Sequence, residues 1–260
     1  MPGSQGGASP RAMREILRSE KLEIRGKLSE AIHSIELALL HGGDRYTCFM
    51  RLAHLYHSEN QLEKAVNAAE KAVEIEPARV SAHEAVIALY LEAHEYARAV
   101  DASRALLKIS PRHLPARDAL GTAYFGLGDI EAAMRVANDL VRLNPDNPYH
   151  HYTRALLCQH VGEVGMAVEE LQRVMEIAPE LDIAESAANQ LITLDNFQVE
   201  TIVTLAVEDG VFRAHMARDP VQAIIDRGFH LSEMGQAHLL ELCALGLTEN
   251  EGWSSPGTYH

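Results

Sequence analysis

The chain is 260 residues long, 47% apolar and only 5% aromatic, with 37 acidic against 23 basic side chains and a formal net charge of −14. It is apolar enough to bury a core, and no stretch approaches 18 uncharged apolar residues, which excludes both a wholly disordered chain and a membrane-spanning one. The charge argues against nucleic acid, whose binding needs a basic stripe that releases counterions, and against an anionic membrane surface.

In chain order, Met1 to Pro10 is rich in Gly, Ser and Pro and lacks the charged start and apolar run of a secretory signal. Residues 1–11 therefore read as a disordered tail. The three cysteines, Cys48, Cys158 and Cys243, lie far apart and never in a CxxC arrangement, which points to buried thiols in a reducing, cytoplasmic setting rather than to disulfides or a zinc knuckle.

From residue 46 the chain is periodic. Pro77, Pro111, Pro145 and Pro179 stand 34 residues apart, each with an apolar residue two positions before it: Ile75, Ile109, Leu143 and Ile177. Ala65, Ala99, Ala133 and Ala167 recur in the same register, as do Tyr56, Tyr90, Tyr124 and Cys158. Between the last two series fall Asn60-Gln61, His94-Glu95, Gly128-Asp129 and Gly162-Glu163, where Gly or Asn supplies the left-handed residue that ends a helix. Each period is thus two helices, with apolar residues three and four apart and small residues where helices approach closely. Such a pair cannot bury both faces alone, so the units must stack.

This pattern resembles the tetratricopeptide repeat family, Leu120-Gly121, Tyr124, Ala133 and Pro145 being the clearest copy. The chain departs from that family at Phe49, His83, Arg117 and His151, where the family often has Trp, and at Cys158, which replaces Tyr. A degraded earlier copy runs through Gly26 to Ala31 and Ala38, with Gly42-Gly43 in place of the terminal proline. The units lie roughly at 12–45, 46–79, 80–113, 114–147 and 148–181. The expected fold is all-α, a right-handed superhelical solenoid of about five helix-turn-helix repeats followed by a small C-terminal helical module.

Residues 182–194 continue in phase without a second helix, as a solenoid cap would, so the solenoid is assigned to 12–195. The phase is lost after Asp195, and residues 182–260 hold 12 acidic and 3 basic side chains. An acidic helical module is predicted over 196–247, with helices Phe197–Glu208, Val211–Ala217, Pro220–Arg227 and Ser232–Leu245. Asp219-Pro220, Gly228 and Ser232 supply its caps. The phrase running from Phe212 to Leu240 is similar to leader segments of some ribosomally made, modified peptides and to small helical subunits of ring-opening dioxygenases. Read from caps and spacing alone, it is a helical bundle docked on the last repeat. Residues 248–260 read as a flexible tail in which Trp253 is out of character.

Fourteen histidines invite a metal proposal. His54 and His57, three apart on one helix, supply only half a zinc site, there is no HExxH, and His150 and His151 point about 100° apart. The histidines therefore read as scattered over the surface. No nucleophile elbow, phosphate loop or dinucleotide fingerprint is present, and GTAYFGLG (121–128) falls inside a repeat, so neither catalysis, cofactor nor metal is assigned.

Stacked hairpins expose a concave wall made by the first helix of each unit. Helical phase places Met50, His54, His57, Glu84, Glu92, Asp118, Thr122, Phe125, Tyr152, Gln159 and His160 on it. Carboxylates there select a basic peptide and aromatics supply contact area. Some members of the family grip acidic chaperone tails through Lys and Asn on this wall. Thr47, Met50, Arg51, His54, Ser81 and Glu84 fall in comparable places, so that ligand is not expected. The resulting reading is a protein-interaction scaffold. The alternative is an accessory or substrate component of a modification enzyme, recruited through the C-terminal module.

Overall fold

A computed structural model describes residues 9–248, all of whose regular elements are α-helices. They are α1 (Pro10–Ile24), α2 (Leu28–Leu40), α3 (Arg45–Ser58), α4 (Leu62–Ile75), α5 (Val80–Glu92), α6 (Tyr96–Ile109), α7 (Leu114–Gly126) and α8 (Ile130–Leu143). There follow α9 (Pro148–Val161), α10 (Val164–Ile177), α11 (Asp182–Glu208), α12 (Gly210–Met216), α13 (Pro220–Asp226) and α14 (Glu233–Thr248). They divide into two units, the first ending at Val136 and the second beginning at Ala137.

In the first unit, α1/α2, α3/α4 and α5/α6 are hairpins, and each packs on the next. Their turns share one design. Gly26, Asn60, His94 and Gly128 take φ of 71°, 57°, 56° and 75°. The next N–H then reaches back five residues in each case: Lys27 to the Leu22 carbonyl (2.9 Å), Gln61 to Tyr56 (2.8 Å), Glu95 to Tyr90 (2.8 Å) and Asp129 to Tyr124 (3.0 Å). This closes the last carbonyls of the first helix of each pair. Gly26 stands one period before Asn60, so the degraded first copy keeps the turn although it lost the proline. The periodic alanines are the contact points between helices: Ala65, Ala99 and Ala133 are all buried. Ile35, Leu55 and Leu106 are fully buried beside them, each contributing about 1.5–3 kcal/mol by leaving water.

At positions 83 and 117 the slot where the family often carries Trp holds a polar side chain with a defined task. His83 Nε2 donates to the Pro77 carbonyl at 2.8 Å, and one period later the Arg117 guanidinium donates to the Pro111 carbonyl at 2.7 Å. Tyr56 donates to Glu36 at 3.2 Å, and Tyr90 donates to Glu70 at the next junction. Burial first, then the bond to Glu70, pushes the Tyr90 phenol far up.

In the second unit, α9/α10 is a hairpin whose turn residue Gly162 has φ 82°. His151 bonds the Pro145 carbonyl through Nε2 (2.8 Å) and Glu170 through Nδ1 (2.7 Å), and Arg154 also donates to Glu170. The histidines are thus not all on the surface: His83, His150 and His151 are buried. For His83 and His151 the reason is that the ends of helix pairs leave carbonyls that need donors.

The helix α11 differs from expectation. A cap ending near Leu194 and a new helix from Phe197 were predicted, but one helix of 27 residues runs through. Asp195 is buried within it and accepts from the Ser232 N–H (2.9 Å) and hydroxyl. Three residues on, the Gln198 amide both donates to the His230 carbonyl and accepts from its N–H, each at 2.8 Å. The early part of α11 packs Ala187 and Leu191 against α9 and α10, and the later part packs Val199 and Ile202 against Phe212, Ile224 and Leu239. The short helices have the expected caps: Asp219 accepts from Gln222 N, Gly228 has φ 80°, and Ser232 accepts from Gly235 N. Ser9 caps α1, which begins at Pro10, so residues 10 and 11 belong to that helix. The rest of the expected N-terminal tail, and the C-terminal stretch with Trp253, lie outside the described residues.

Candidate functional site

In the first unit, α3, α5 and α7 carry eight of the expected wall residues. Helical phase from the Ala and Tyr core positions turns His54, His57, Glu84, Glu92, Asp118, Thr122 and Phe125 outward, all of them exposed, and leaves Met50 half-buried. Phe125 stays half open to solvent.

Most of the wall's charges are joined to a neighbouring hairpin. Glu23 of α1 lies 2.9 Å from His54 and 3.1 Å from Arg51 of α3. His57 of α3 lies 2.7 Å from Glu92 of α5, and Glu84 of α5 lies 3.0 Å from His113 at the start of α7. Carboxylate-to-imidazole contacts therefore link each successive pair of first helices. His54 and His57 turn toward opposite neighbours and do not converge on a shared point. Among the described residues, no three His, Cys, Asp or Glu side chains are grouped to hold a metal ion.

Sequence reasoning missed Glu23, Arg51 and His113 as partners. It also missed the apolar start of the wall. Met13, Leu17 and Ile24 of α1 are all exposed, Ile24 by 86%. They stand one 34-residue period before Thr47, Arg51 and Ser58 of α3, and that register was the available signal. At the base of α3, Asp44 caps the helix through Thr47 N at 2.8 Å. The Thr47 hydroxyl, then the Thr47 N–H, hold its carboxyl below the usual range.

In the second unit, α9 carries the remaining expected residues. His160 is exposed and Tyr152 half-buried, while Gln159 accepts from Gln190 Nε2 at 2.9 Å. Tyr149 and Leu156 are exposed on the same helix. The thiols offer no activated nucleophile: Cys48 and Cys158 are buried, Cys243 is half-buried, and burial is the leading cause that pushes all three upward. No helix among the described residues is long and apolar enough to cross a membrane.

Comparison with known proteins places this architecture. Three family models, each described as tetratricopeptide repeat, match residues 46–79, 90–157 and 129–192. Among solved structures, MamA (residues 41 to the end) from Desulfovibrio magneticus RS-1 is similar with a TM-score of 0.61 at 20% identity, over 68% of this chain and 99% of that one. YrrB, described as a TPR protein with an unusual peptide-binding site, is similar with a TM-score of 0.57 at 16% identity, over 68% and 92%. At these identities the likeness is one of fold. No curated protein matches the chain in sequence. The matched segments together cover more than half of the residues, and they carry the same period as the helix hairpins: the chain belongs to the tetratricopeptide repeat family.

Proposed function

We propose that the chain is a protein-interaction scaffold that holds a peptide or partner protein against the wall of first helices. The observation that carries this reading is the set of inter-hairpin contacts Glu23–His54, His57–Glu92 and Glu84–His113. They fix the spacing of exposed groups along a face that the core does not need, which is the preorganisation that an extended ligand exploits. Glu84, Glu92 and Asp118 favour basic groups on the ligand, while Met50 and Phe125 supply contact area. Lys or Arg of a ligand competes with the imidazoles for the same carboxylates. The description of YrrB as holding a peptide-binding site supports a peptide ligand here by fold analogy. The role is binding rather than catalysis, and the helices after α11 serve as a cap on the last hairpin.

The test uses a Lys-rich eight-residue peptide titrated into the full chain by calorimetry. Binding is expected to weaken about tenfold when Glu84 and Glu92 are both changed to Gln, and to fall with added salt. Unchanged affinity in the folded variant removes the wall as the binding face.

A further inference from the structure

The charge of α1 runs against that of the chain. Residues 10–27 hold six basic and three acidic side chains, although the chain as a whole carries −14. At about 100° per residue, the exposed Met13, Leu17 and Ile24 fall within about 40° of one another. Along one edge of that stripe stand Arg11, Arg14, Arg18, Lys21 and Arg25, all exposed. Arg18 lies 3.6 Å from Glu15 and Arg14 donates to the Pro10 carbonyl at 3.2 Å. Arg11, Lys21 and Arg25 have no carboxylate within ion-pair distance among the described residues, in a chain with 37 of them. On the other edge is Glu20, 4.0 Å from Arg51.

The complement of this face occurs in the same chain. The helix α14 carries Glu233 and Glu241 and neither Lys nor Arg. Leu239 turns into the core, while Met234, Ala237 and Leu240 are exposed together with both carboxylates, which pair with no cation among the described residues. The two helices are about 22 Å and 24 Å long, so each offers the other a match over its whole length. A lipid surface would draw on cations at both edges of an apolar stripe, where headgroups lie on either side. The helix α1 has them on one edge and a carboxylate on the other, which suits a second helix. We propose that α1 of one copy docks on α14 of a second copy, Met13, Leu17 and Ile24 lying against Met234, Ala237 and Leu240, with the α1 cations along Glu233 and Glu241. The two surfaces differ, so the contact is heterologous: a copy that uses its α1 leaves its α14 for another, and assembly grows with concentration. One helix against one helix is a small interface, so Kd is expected at about 10–100 μM. Met13, Leu17 and Ile24 begin the first-unit wall, but the carboxylates assigned to its ligand, Glu84 and Glu92, take no part, so the inference does not rest on the scaffold reading.

The test is sedimentation velocity of the full chain at concentrations spanning that Kd by about tenfold on either side. The weight-average sedimentation coefficient is expected to rise with concentration, and Kd to weaken about tenfold in high salt. Arg14→Glu with Lys21→Glu, and separately Glu233→Lys with Glu241→Lys, are each expected to leave the chain monomeric. All four positions are exposed, and circular dichroism checks that both variants keep their helices. Mixed in equal amounts the two reversed variants associate again, since each supplies the charges that the other lost. A parent chain that stays monomeric throughout, a folded reversed variant that associates undiminished, or a mixture that does not recover overturns the assignment. Dissociation by Glu84→Gln with Glu92→Gln also overturns it and moves α1 onto the first-unit wall of its neighbour. The Lys-rich peptide reads that wall alone, so its failure to bind leaves this measurement unaffected.

Discussion

His83 Nε2 lies 2.8 Å from the carbonyl oxygen of Pro77. The proline ends one hairpin and the histidine enters the next, so the contact ties consecutive units through a group that the helix terminus leaves without a partner. Arg117 serves Pro111, and His151 serves Pro145, in the same register. What these residues share with the Trp often seen there is an N–H donor on a bulky side chain, which rationalises the His, Arg and His found at this slot. Phe49, one period earlier, follows Gly42-Gly43 rather than a proline and carries no side-chain donor.

Replacing His83 with Leu keeps bulk and removes the donor. The Pro77 carbonyl loses its partner at an exposed turn where water can replace it, and the chain is expected to lose about 0.5–1.5 kcal/mol. The urea midpoint, followed by circular dichroism, measures this; an unshifted midpoint would show that the bond contributes nothing.

A Cβ built on Gly235 would sit 2.5 Å from the Asp195 side-chain carbon. Gly235→Ala must therefore push α14 off α11 and is expected to cost about 1–3 kcal/mol. Asp195→Ala, which removes the acceptor for Ser232, should loosen the same junction. Hydrogen exchange of the α14 amides reports both, and protection equal to that of the unaltered chain in either variant contradicts the role given to Asp195.

Acid should weaken the cap of α3. The Asp44 carboxyl is held below its ordinary value of about 3.9, so its contribution is present above that value and is lost as pH falls through the lower folded-state value. Asn caps a helix about as well but does not titrate. Stability measured in urea between pH 5 and pH 2 should decline less steeply in Asp44→Asn than in the unaltered chain. Parallel curves would remove Asp44 from the acid response.

The thiols should be slow. Cys48 and Cys158 are wholly covered, and burial disfavours their thiolates. At neutral pH a disulfide reagent is expected to modify them only at the rate of unfolding, with Cys243 reacting sooner because it is half-exposed. Rapid labelling of all three in the folded chain is the contrary result.

The repeat was legible because it depends on local chemistry repeated at a fixed interval. Proline cannot continue a helix, Asn and Gly tolerate φ > 0, and Ala permits close approach, so Pro77, Asn60, Gly128 and Ala99 each announce their place. His94, at φ 56°, took the same turn without the usual residue type. The continuity of α11 was hidden because Asp195 and Gln198 are fixed by Ser232 and His230, more than thirty residues away. A local pattern gives no sign of such partners. The buried histidines were misread for the same reason: composition records imidazoles, not the carbonyls waiting for them. Of the wall, the exposed positions followed from helical phase, whereas the pairing of Glu23 with His54 or His57 with Glu92 depends on how neighbouring hairpins nest.

A helix of 27 residues is a rod about 40 Å long. Its first half is glued into the last hairpin and its second half into the helices that follow, with no hinge of irregular backbone between them. Neither half can melt without stripping apolar surface from the other's support, so residues from Pro148 to Leu239 should lose their structure in one concerted event. A protease would find no seam at which to part them.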